Sequence, residues 1–466
     1  MSDNTAAAAA PGSERINLLK VLGPGHVWAL GVGIVLVGEF MGWNFSVGKG
    51  GALASLIACW VIGLLYTCVA MIDSEVTSTV AAAGGQYAQA KHIIGPLMAF
   101  NVALYLVMAY TMLEAGNAFV AGDLLTTVAG QLGHPNLDST PFVLLVIASL
   151  AFLNYRGVFM TLSVNFVITA IAFISIVVLF FGVEPWAPGK ILHHQELLTG
   201  LPYGWIGVVA ALQFGMWYYL GIEGTCQAAE ECRSAGRAIP LGTITGMVTL
   251  VIAATLTWYI AAGLMPWEYL GQAYTPLYDA AVITGNRALE VFLFVGTLFS
   301  TLASANGCIN DASRAWFSMG RDRYMPGWFG AVHPRYRTPF RSIVFLIPIA
   351  LTAAYKLPLD GVITFSILSG LLGYTFMSFN MMRFRKQWPL GSIKRAYIHP
   401  FHPLPAIVLF VLCVCVYFAT FLGYADYLIS IMVFFIVASI WFTLHRYKFV
   451  KRGDQFTMPW PRPRGF

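Results

Sequence analysis

Three carboxylates stand inside stretches where charge is expensive. Glu39 lies in Gly38-Glu39-Phe40-Met41-Gly42, Glu114 in Leu113-Glu114-Ala115-Gly116-Asn117, and Glu223 in Gly221-Ile222-Glu223-Gly224, each within a long apolar run. An ionisable side chain in such a place pairs with a neighbour, relays protons or holds a charged ligand. No nucleophile–base or metal-ligand spacing accompanies them: the chain contains no G-x-S-x-G, H-E-x-x-H or Walker A pattern. Its seven cysteines form no C-x-x-C and read as small apolar filler. No enzymatic activity, metal or cofactor is expected, and the chemistry left for the carboxylates is recognition of a cation or a proton.

Each candidate has a plain alternative. Glu39 is either a ligand for a substrate ammonium or a protonated carboxyl joining helices. Glu114 either lines a substrate cavity or meets a partner from another helix. Phe40, Tyr110 and Tyr218 are candidate cavity walls or thin gates, and generic packing explains such aromatics as well. Ser304, Asn306 and Asn310 offer polar contacts that helix–helix hydrogen bonding explains equally. Asp73, Glu75, Glu230 and Glu231 are expected to pair with Arg233, Arg314 or Arg321. His193 and His194 fall in an outer loop and are expected to face solvent.

The elements that must position these residues follow from composition. The chain has 466 residues, 58% hydrophobic and only 10% charged, with mean hydropathy +0.71. Soluble domains use about 25% charged residues, so a globule of this size would lack a polar coat. Apolar stretches fall near 27–47, 52–72, 96–122, 141–155, 162–183, 203–228, 242–265, 289–319, 341–355, 361–382, 404–422 and 427–445. The fold class is therefore an all-α polytopic membrane protein with twelve transmembrane helices. With the N-terminus in the cytoplasm, 23 of the 27 Lys/Arg fall on the cytoplasmic side, which places both termini there. Residues 1–25 and 446–466 become cytoplasmic tails, and the first span replaces a cleavable signal peptide. The expected location is a plasma membrane, the inner membrane in a bacterium. The net charge of +6 is explained by this asymmetry, so no nucleic-acid partner is implied. No connection exceeds about 20 residues, so a soluble catalytic module has no room.

Spans 1 and 6 share an irregularity. Each carries glycines flanking one carboxylate, at Gly38 and Gly221, separated by 183 residues. That is five spans, an odd number, so the second copy crosses the membrane in the opposite sense. Residues 26–183 and 203–382 then form two inverted repeats, with 404–445 added as helices 11 and 12. Interrupted segments at matching places in two inverted halves mark a transporter's midplane binding site. Irregular backbone is tolerated there only where it lines a cavity or holds a ligand.

Several motifs carry a resemblance across nearly the whole chain. They are Ala83-Gly84-Gly85-Gln86-Tyr87 with Ile94-Gly95-Pro96, Trp217-Tyr218-Tyr219-Leu220-Gly221-Ile222-Glu223-Gly224 with Glu230-Glu231 and Arg237-Ala238-Ile239-Pro240, and Ala312-Ser313-Arg314 followed by Asp322, Pro326, His333-Pro334 and Thr338-Pro339. In this order they resemble the amino acid–polyamine–organocation superfamily of transporters. The resemblance implies a LeuT-like 5+5 inverted repeat with broken helices 1 and 6. Taken with the residues themselves, it gives expected substrate contacts at Gly38, Glu39, Phe40, Gly42, Tyr110, Glu114, Trp217, Gly221, Glu223 and Asn306. Trp217 matches the family's substrate-stacking aromatic, where a cation gains about 0.5–2 kcal/mol. Glu223 matches its gate or proton-responsive carboxylate.

Within the superfamily, Gly38-Glu39-Phe40-Met41-Gly42-Trp43-Asn44 is most similar to the ethanolamine-permease branch. Amino acid carriers place a small turn here whose free amides cradle a carboxylate. This chain places Trp43, Asn44 and an anion there instead, and anion beside anion is unfavourable at low dielectric. The expected function is import of a small organic amine, ethanolamine first, with an amino acid or polyamine carrier as the alternative. Some proton-coupled relatives carry a span 5 lysine; here Ala172 takes that position and span 5 has no lysine. Ser300, Thr301 and Ser304 could supply sodium ligands, so a coupling proton and a coupling sodium ion both stay open.

Overall fold

A computed structural model describes residues 18–450 apart from 135, 194–196 and 198–199. Residues 1–17 and 451–466 of the expected tails, and His194, lie outside the described residues. The described chain is built from helices: α1 (Pro24–Val35), α2 (Val37–Met41), α3 (Trp43–Gly50), α4 (Ala52–Thr79), α5 (Gln86–Ile93), α6 (Pro96–Gln131), α7 (Thr140–Arg156) and α8 (Val158–Val183) precede the midpoint. After it come α9 (Gly204–Gly215), α10 (Ala235–Leu264), α11 (Trp267–Leu270), α12 (Pro276–Ile283), α13 (Arg287–Arg321), α14 (Phe340–Lys356), α15 (Leu359–Gln387) and α16 (Leu404–Trp441). Long apolar runs close their backbone hydrogen bonds internally, which is what hydrocarbon demands. Proline opens α1, α6 and α12, where its missing N–H costs nothing.

Among the described residues, nine helices are long and apolar enough to cross a membrane. Three expected spans account for the difference from twelve. Helices α7 and α14 have 17 residues each, about 25 Å at 1.5 Å per residue, short of a hydrocarbon core of about 30 Å. The two expected spans at 404–422 and 427–445 are two helical segments that meet at a kink, where Tyr424 leaves helical geometry (φ −144°, ψ 44°), and α16 takes both together.

The spans differ in where they sit. The most apolar windows of α4, α6 and α15 and of the first span are 67–78% buried, whereas those of α8 and α16 are 33% buried. The first group builds the middle of the bundle and the second faces outward. Helix α13 packs along α6 and α8, and α1 lies against α10, α8 and α13. This places the first span and the chain around Gly221 at the centre, each covered on all sides by other helices.

Candidate substrate-binding site

The two interruptions face each other but are built differently. In the first span the helix breaks at Leu36 (φ −55°, ψ −22°) and at Gly42 (φ −97°, ψ −16°), and both residues keep right-handed helical angles. Its amides are used locally: Glu39 N–H donates to the Leu36 carbonyl at 3.1 Å and Gly42 N–H to the Gly38 carbonyl at 2.8 Å. The span is bent rather than unwound. The sixth span leaves α-helix at Gly215, passes through a 3₁₀ turn at Met216–Tyr218, and resumes as 3₁₀ at Ile222–Cys226. Between these turns Gly221 takes φ +117°, a conformation that costs a residue with a side chain about 1–3 kcal/mol.

Glycine also lets the two segments touch. A Cβ at Gly38 would lie 2.5 Å from the Trp217 carbonyl oxygen, and one at Gly221 would lie 2.3 Å from Ile34 Cγ2. Gly42 abuts the Gly38 carbonyl oxygen and the Tyr218 ring. Gly38 and Gly42 are therefore contact points of backbone on backbone or ring, and Gly221 is one of backbone on the Ile34 side chain.

Glu39 is fully buried beside α10. Its Oε2 accepts from the Thr257 hydroxyl at 3.2 Å, while Oε1 has no hydrogen-bond partner. That donor is shared, because Thr257 Oγ1 also lies 2.9 Å from the Ala253 carbonyl and has one hydrogen to give. The same hydroxyl accepts from Trp43 Nε1 at 3.0 Å, and the Trp43 ring stacks on Tyr218 at 4.1 Å. Phe40, also buried, packs towards Gly296 of α13.

Glu223 is held more firmly. Its Oε2 accepts from Gly221 N–H at 3.1 Å and its Oε1 from the Tyr374 hydroxyl at 2.6 Å. Tyr66 extends the chain by donating to Tyr374 at 3.2 Å. Tyr110 is buried, with its hydroxyl close to Glu223.

A narrow cavity of about 30 Å³ lies between α2, α3, α6 and α15. Trp217 lines it with its Nε1 unpartnered, and the Phe45 ring stands 5.4 Å away. Tyr274, 47% exposed, closes one end and Asn44 and Asn117 supply polar atoms. Val37, Met41 and Asn44 reach it at helical spacing, which turns Glu39 to another side of the same helix. Glu114 sits on α6 one turn before Asn117 but outside the cavity lining, which takes Leu113, Gly116 and Asn117 from this helix. It is buried, and neither carboxylate oxygen has a hydrogen-bond partner among the described residues. Asn117 donates to Ser304 Oγ at 2.7 Å, which in turn donates to the Ile34 carbonyl at 2.5 Å. This ties the Glu114 turn to α13 and to the first interruption.

The structure thus places Trp217 in the cavity lining, and Glu39, Glu114 and Glu223 outside it. Asn306 is elsewhere and fully engaged: it donates to Asn165 Oδ1 at 3.1 Å and accepts from Asn154 at 2.8 Å, joining α13 to α7 and α8. Ser300 and Thr301 donate to carbonyls of their own helix. Sequence reasoning passed over Asp311, whose Oδ2 is unpartnered and presses against Gly224, where a Cβ would lie 2.0 Å away. The signal was present, since Asp311 is a carboxylate inside an apolar run like the other three. Cys308 has Glu114, Asp311 and Glu223 all in its electrostatic neighbourhood.

One end of the bundle is shut by ion pairs. Arg314 grips Glu231 through Nε at 2.6 Å and Nη2 at 2.9 Å, and Arg321 meets Glu230 at 3.1 Å. Lys91 meets Asp322 at 2.7 Å. Arg233 does not join these pairs; its N–H bonds the Leu22 carbonyl at 3.0 Å. Asp73 accepts from Gln86 and Gln89, and Glu75 pairs with Arg385 at 2.7 Å.

The comparisons with known proteins agree with this architecture. The family described as amino acid permease matches residues 25–452. An uncharacterized transporter of Rhizobium meliloti is 69% identical over 467 residues, covering all of both chains. The methylthioribose transporter of Bacillus subtilis is 24% identical, covering 85% of this chain and 87% of its own. The low-affinity putrescine importer of Escherichia coli is 22% identical, covering 80% and 82%. A match over nearly the whole chain, on a bundle of apolar helices with an interrupted pair at its centre, makes this protein a membrane transporter that belongs to the amino acid permease family.

Proposed function

We propose that this transporter is a secondary-active importer of a small organic amine, ethanolamine first, working by alternating access. In this reading twelve spans form two inverted halves, 26–183 and 203–382, with both termini in the cytoplasm of a bacterial inner membrane. The observation that carries it is Glu114: a buried carboxylate with two unpartnered oxygens on α6, the helix that forms one wall of the cavity. An unpaired anion in low dielectric is costly, and a substrate ammonium relieves it. Trp217 offers its ring face to the same cation, and Asn117 and Asn44 offer hydrogen bonds to a hydroxyl.

The first interruption supports an amine over an amino acid. Its amides are spent on the Leu36 and Gly38 carbonyls, which leaves no open nest for a substrate carboxylate. A relative named for putrescine import fits a cationic substrate. A relative named as a branched-chain amino acid permease supports the rival reading of an amino acid carrier. Glu223 would carry the proton or conformational signal, since it couples the backbone of the second interruption to α15 through Tyr374. The Glu231–Arg314 and Glu230–Arg321 pairs would open and close the cytoplasmic end. A coupling proton and a coupling sodium ion both fit this scheme.

Uptake of labelled ethanolamine into proteoliposomes tests the reading. Glu114→Gln is expected to lower uptake at least about 100-fold, the scale of removing one partner from a buried charge pair, with thermal stability kept; Glu39→Gln should weaken uptake as well. Unlabelled putrescine should compete and a zwitterionic amino acid should not. Saturable uptake of the amino acid with no competition by ethanolamine would replace the amine with the rival substrate.

A further inference from the structure

A second site lies on the outer wall of the bundle, away from the central cavity. An open groove of about 950 Å³ runs between the α5–α6 junction, the end of α15 and the loop that follows α15. One part is apolar, formed by Ile94, Met98, Phe376 and Phe379. Phe379 is 54% exposed and Leu390 57% exposed, so this part opens sideways, where the hydrocarbon of a bilayer would lie. The other part is cationic: Arg383, Arg385 and Lys386 line it, and among the described residues no acidic side chain does.

Arg385 makes this more than a patch of surface charge. It is only 9% exposed, and its Nη2 is committed to Glu75 at 2.7 Å, with the His399 carbonyl at 3.4 Å. Its Nε is sealed within the protein with no hydrogen-bond partner among the described residues. His402, also in the lining, has an unpartnered Nδ1. Glu75 cannot balance the site, because it already faces Arg385 at 2.7 Å and Arg395 at 3.5 Å. Arg385 is thereby fixed in the groove wall, while Arg383 and Lys386 beside it are exposed and within reach of an oxyanion.

We propose that this groove binds one anionic glycerophospholipid of the surrounding leaflet. The phosphate would sit against Arg383, Arg385 and Lys386, and an acyl chain would lie along Met98, Phe376 and Phe379. A basic pocket between helices beside an apolar channel is the chemistry that holds such headgroups. Because Arg385 also holds Glu75 at the end of α4, an occupied groove would stiffen the junction of α4, α15 and the following loop. The proposal is independent of which substrate the central cavity takes.

Native mass spectrometry of the full-length protein in detergent tests it, with dioleoylphosphatidylglycerol and dioleoylphosphatidylcholine titrated separately. The wild type should retain one phosphatidylglycerol more tightly than phosphatidylcholine. Arg383→Gln/Lys386→Gln should weaken that step about 30-fold, at about 1 kcal/mol per basic residue and 1.4 kcal/mol per tenfold. Arg335→Gln/Arg337→Gln, on another loop, should leave it unchanged. A phosphatidylglycerol with a photoreactive acyl chain should label residues 376–390 of the wild type, a readout that needs no variant to fold. Equal retention of the two lipids, an equal loss in the control variant, labelling elsewhere, or shielding of this groove by a second copy of the chain would each overturn the proposal.

Discussion

The two interrupted spans look alike in sequence, glycines around one carboxylate, yet they do different work. The first keeps helical dihedrals throughout, and its glycines serve close approach: Gly38 lets the Trp217 carbonyl in, and Gly42 lets the Tyr218 ring in. The second is unwound, and Gly221 supplies a positive φ that other residues avoid. Their carboxylates differ in the same sense. Glu39 shares a single hydroxyl donor with a competing carbonyl, whereas Glu223 takes one backbone and one tyrosine donor. A loosely held anion is free to exchange partners. A firmly held one transmits a change in its own charge to the backbone around it.

The largest effect expected from this contrast is at Gly221. A Cβ there and a Cβ at Gly307 would each lie 2.3 Å from the same residue, Ile34, but Gly307 sits within regular α13. Both Gly221→Ala and Gly307→Ala therefore suffer overpacking of about 1–3 kcal/mol. Only Gly221→Ala adds about 1–3 kcal/mol of backbone strain, while alanine in a helix regains up to about 1 kcal/mol. Thermal unfolding in detergent should rank Gly221→Ala below Gly307→Ala by several degrees. Equal melting temperatures would mean that the second interruption is no more dependent on its glycine than a helix contact is.

The carboxylates come next. Glu223→Gln turns an NH₂ towards either Gly221 N–H or the Tyr374 hydroxyl, losing one buried bond at about 1–3 kcal/mol. Glu39→Gln gives up only a shared 3.2 Å bond and should stay within about 1 kcal/mol of the wild type. Stability and uptake measured on the same preparations separate the roles. Glu39→Gln should lose uptake with its stability kept, and Glu223→Gln should lose stability together with the pH dependence of uptake. The reverse order would show that the loosely held carboxylate is the structural one.

Much of this was legible in the sequence, and what was not has a physical cause. Apolar runs and the side preference of Lys/Arg speak through composition, which is local, so the helical membrane fold and the two interruptions could be read directly. Which way a carboxylate points depends on helix phase and on neighbours distant in the chain. Glu39 lies two residues from Val37, which turns it about 200° away from the cavity face and towards Thr257, 218 positions further on. Asn306 looked like a substrate contact because its partners, Asn154 and Asn165, belong to two other helices. Asp311 was hidden beside Arg314, in a stretch whose basic residues suggested an end of a span. The last two expected spans meet at a kink at Tyr424, with no loop between them to mark the boundary in composition. Packing, not pattern, decides each of these.

The smallest effect guards the comparison against a false positive. If Glu223 carries a proton, uptake varies with pH, but a loop outside the membrane responds to acid too. Burial lowers the His399 pKa from 6.5 to about 4, outweighing the opposite pull of Glu75. His399 is therefore neutral in the folded protein at neutral pH, consistent with Arg385 Nη2 lying 3.5 Å from its Nδ1. The unfolded chain binds a proton near pH 6.5 and the folded chain only near 4, so stability from this group is full above pH 6.5. It is lost progressively as pH falls from 6.5 to about 4. Thermal unfolding from pH 7.5 to 4.5 should show a decline of a few degrees that His399→Asn reduces. Uptake in the same variant should keep the acid dependence of the wild type if that dependence belongs to Glu223. Were the variant to lose both, the pH response would lie in the loop that Glu75 anchors, and the second interruption would be a structural joint rather than a proton-sensitive one.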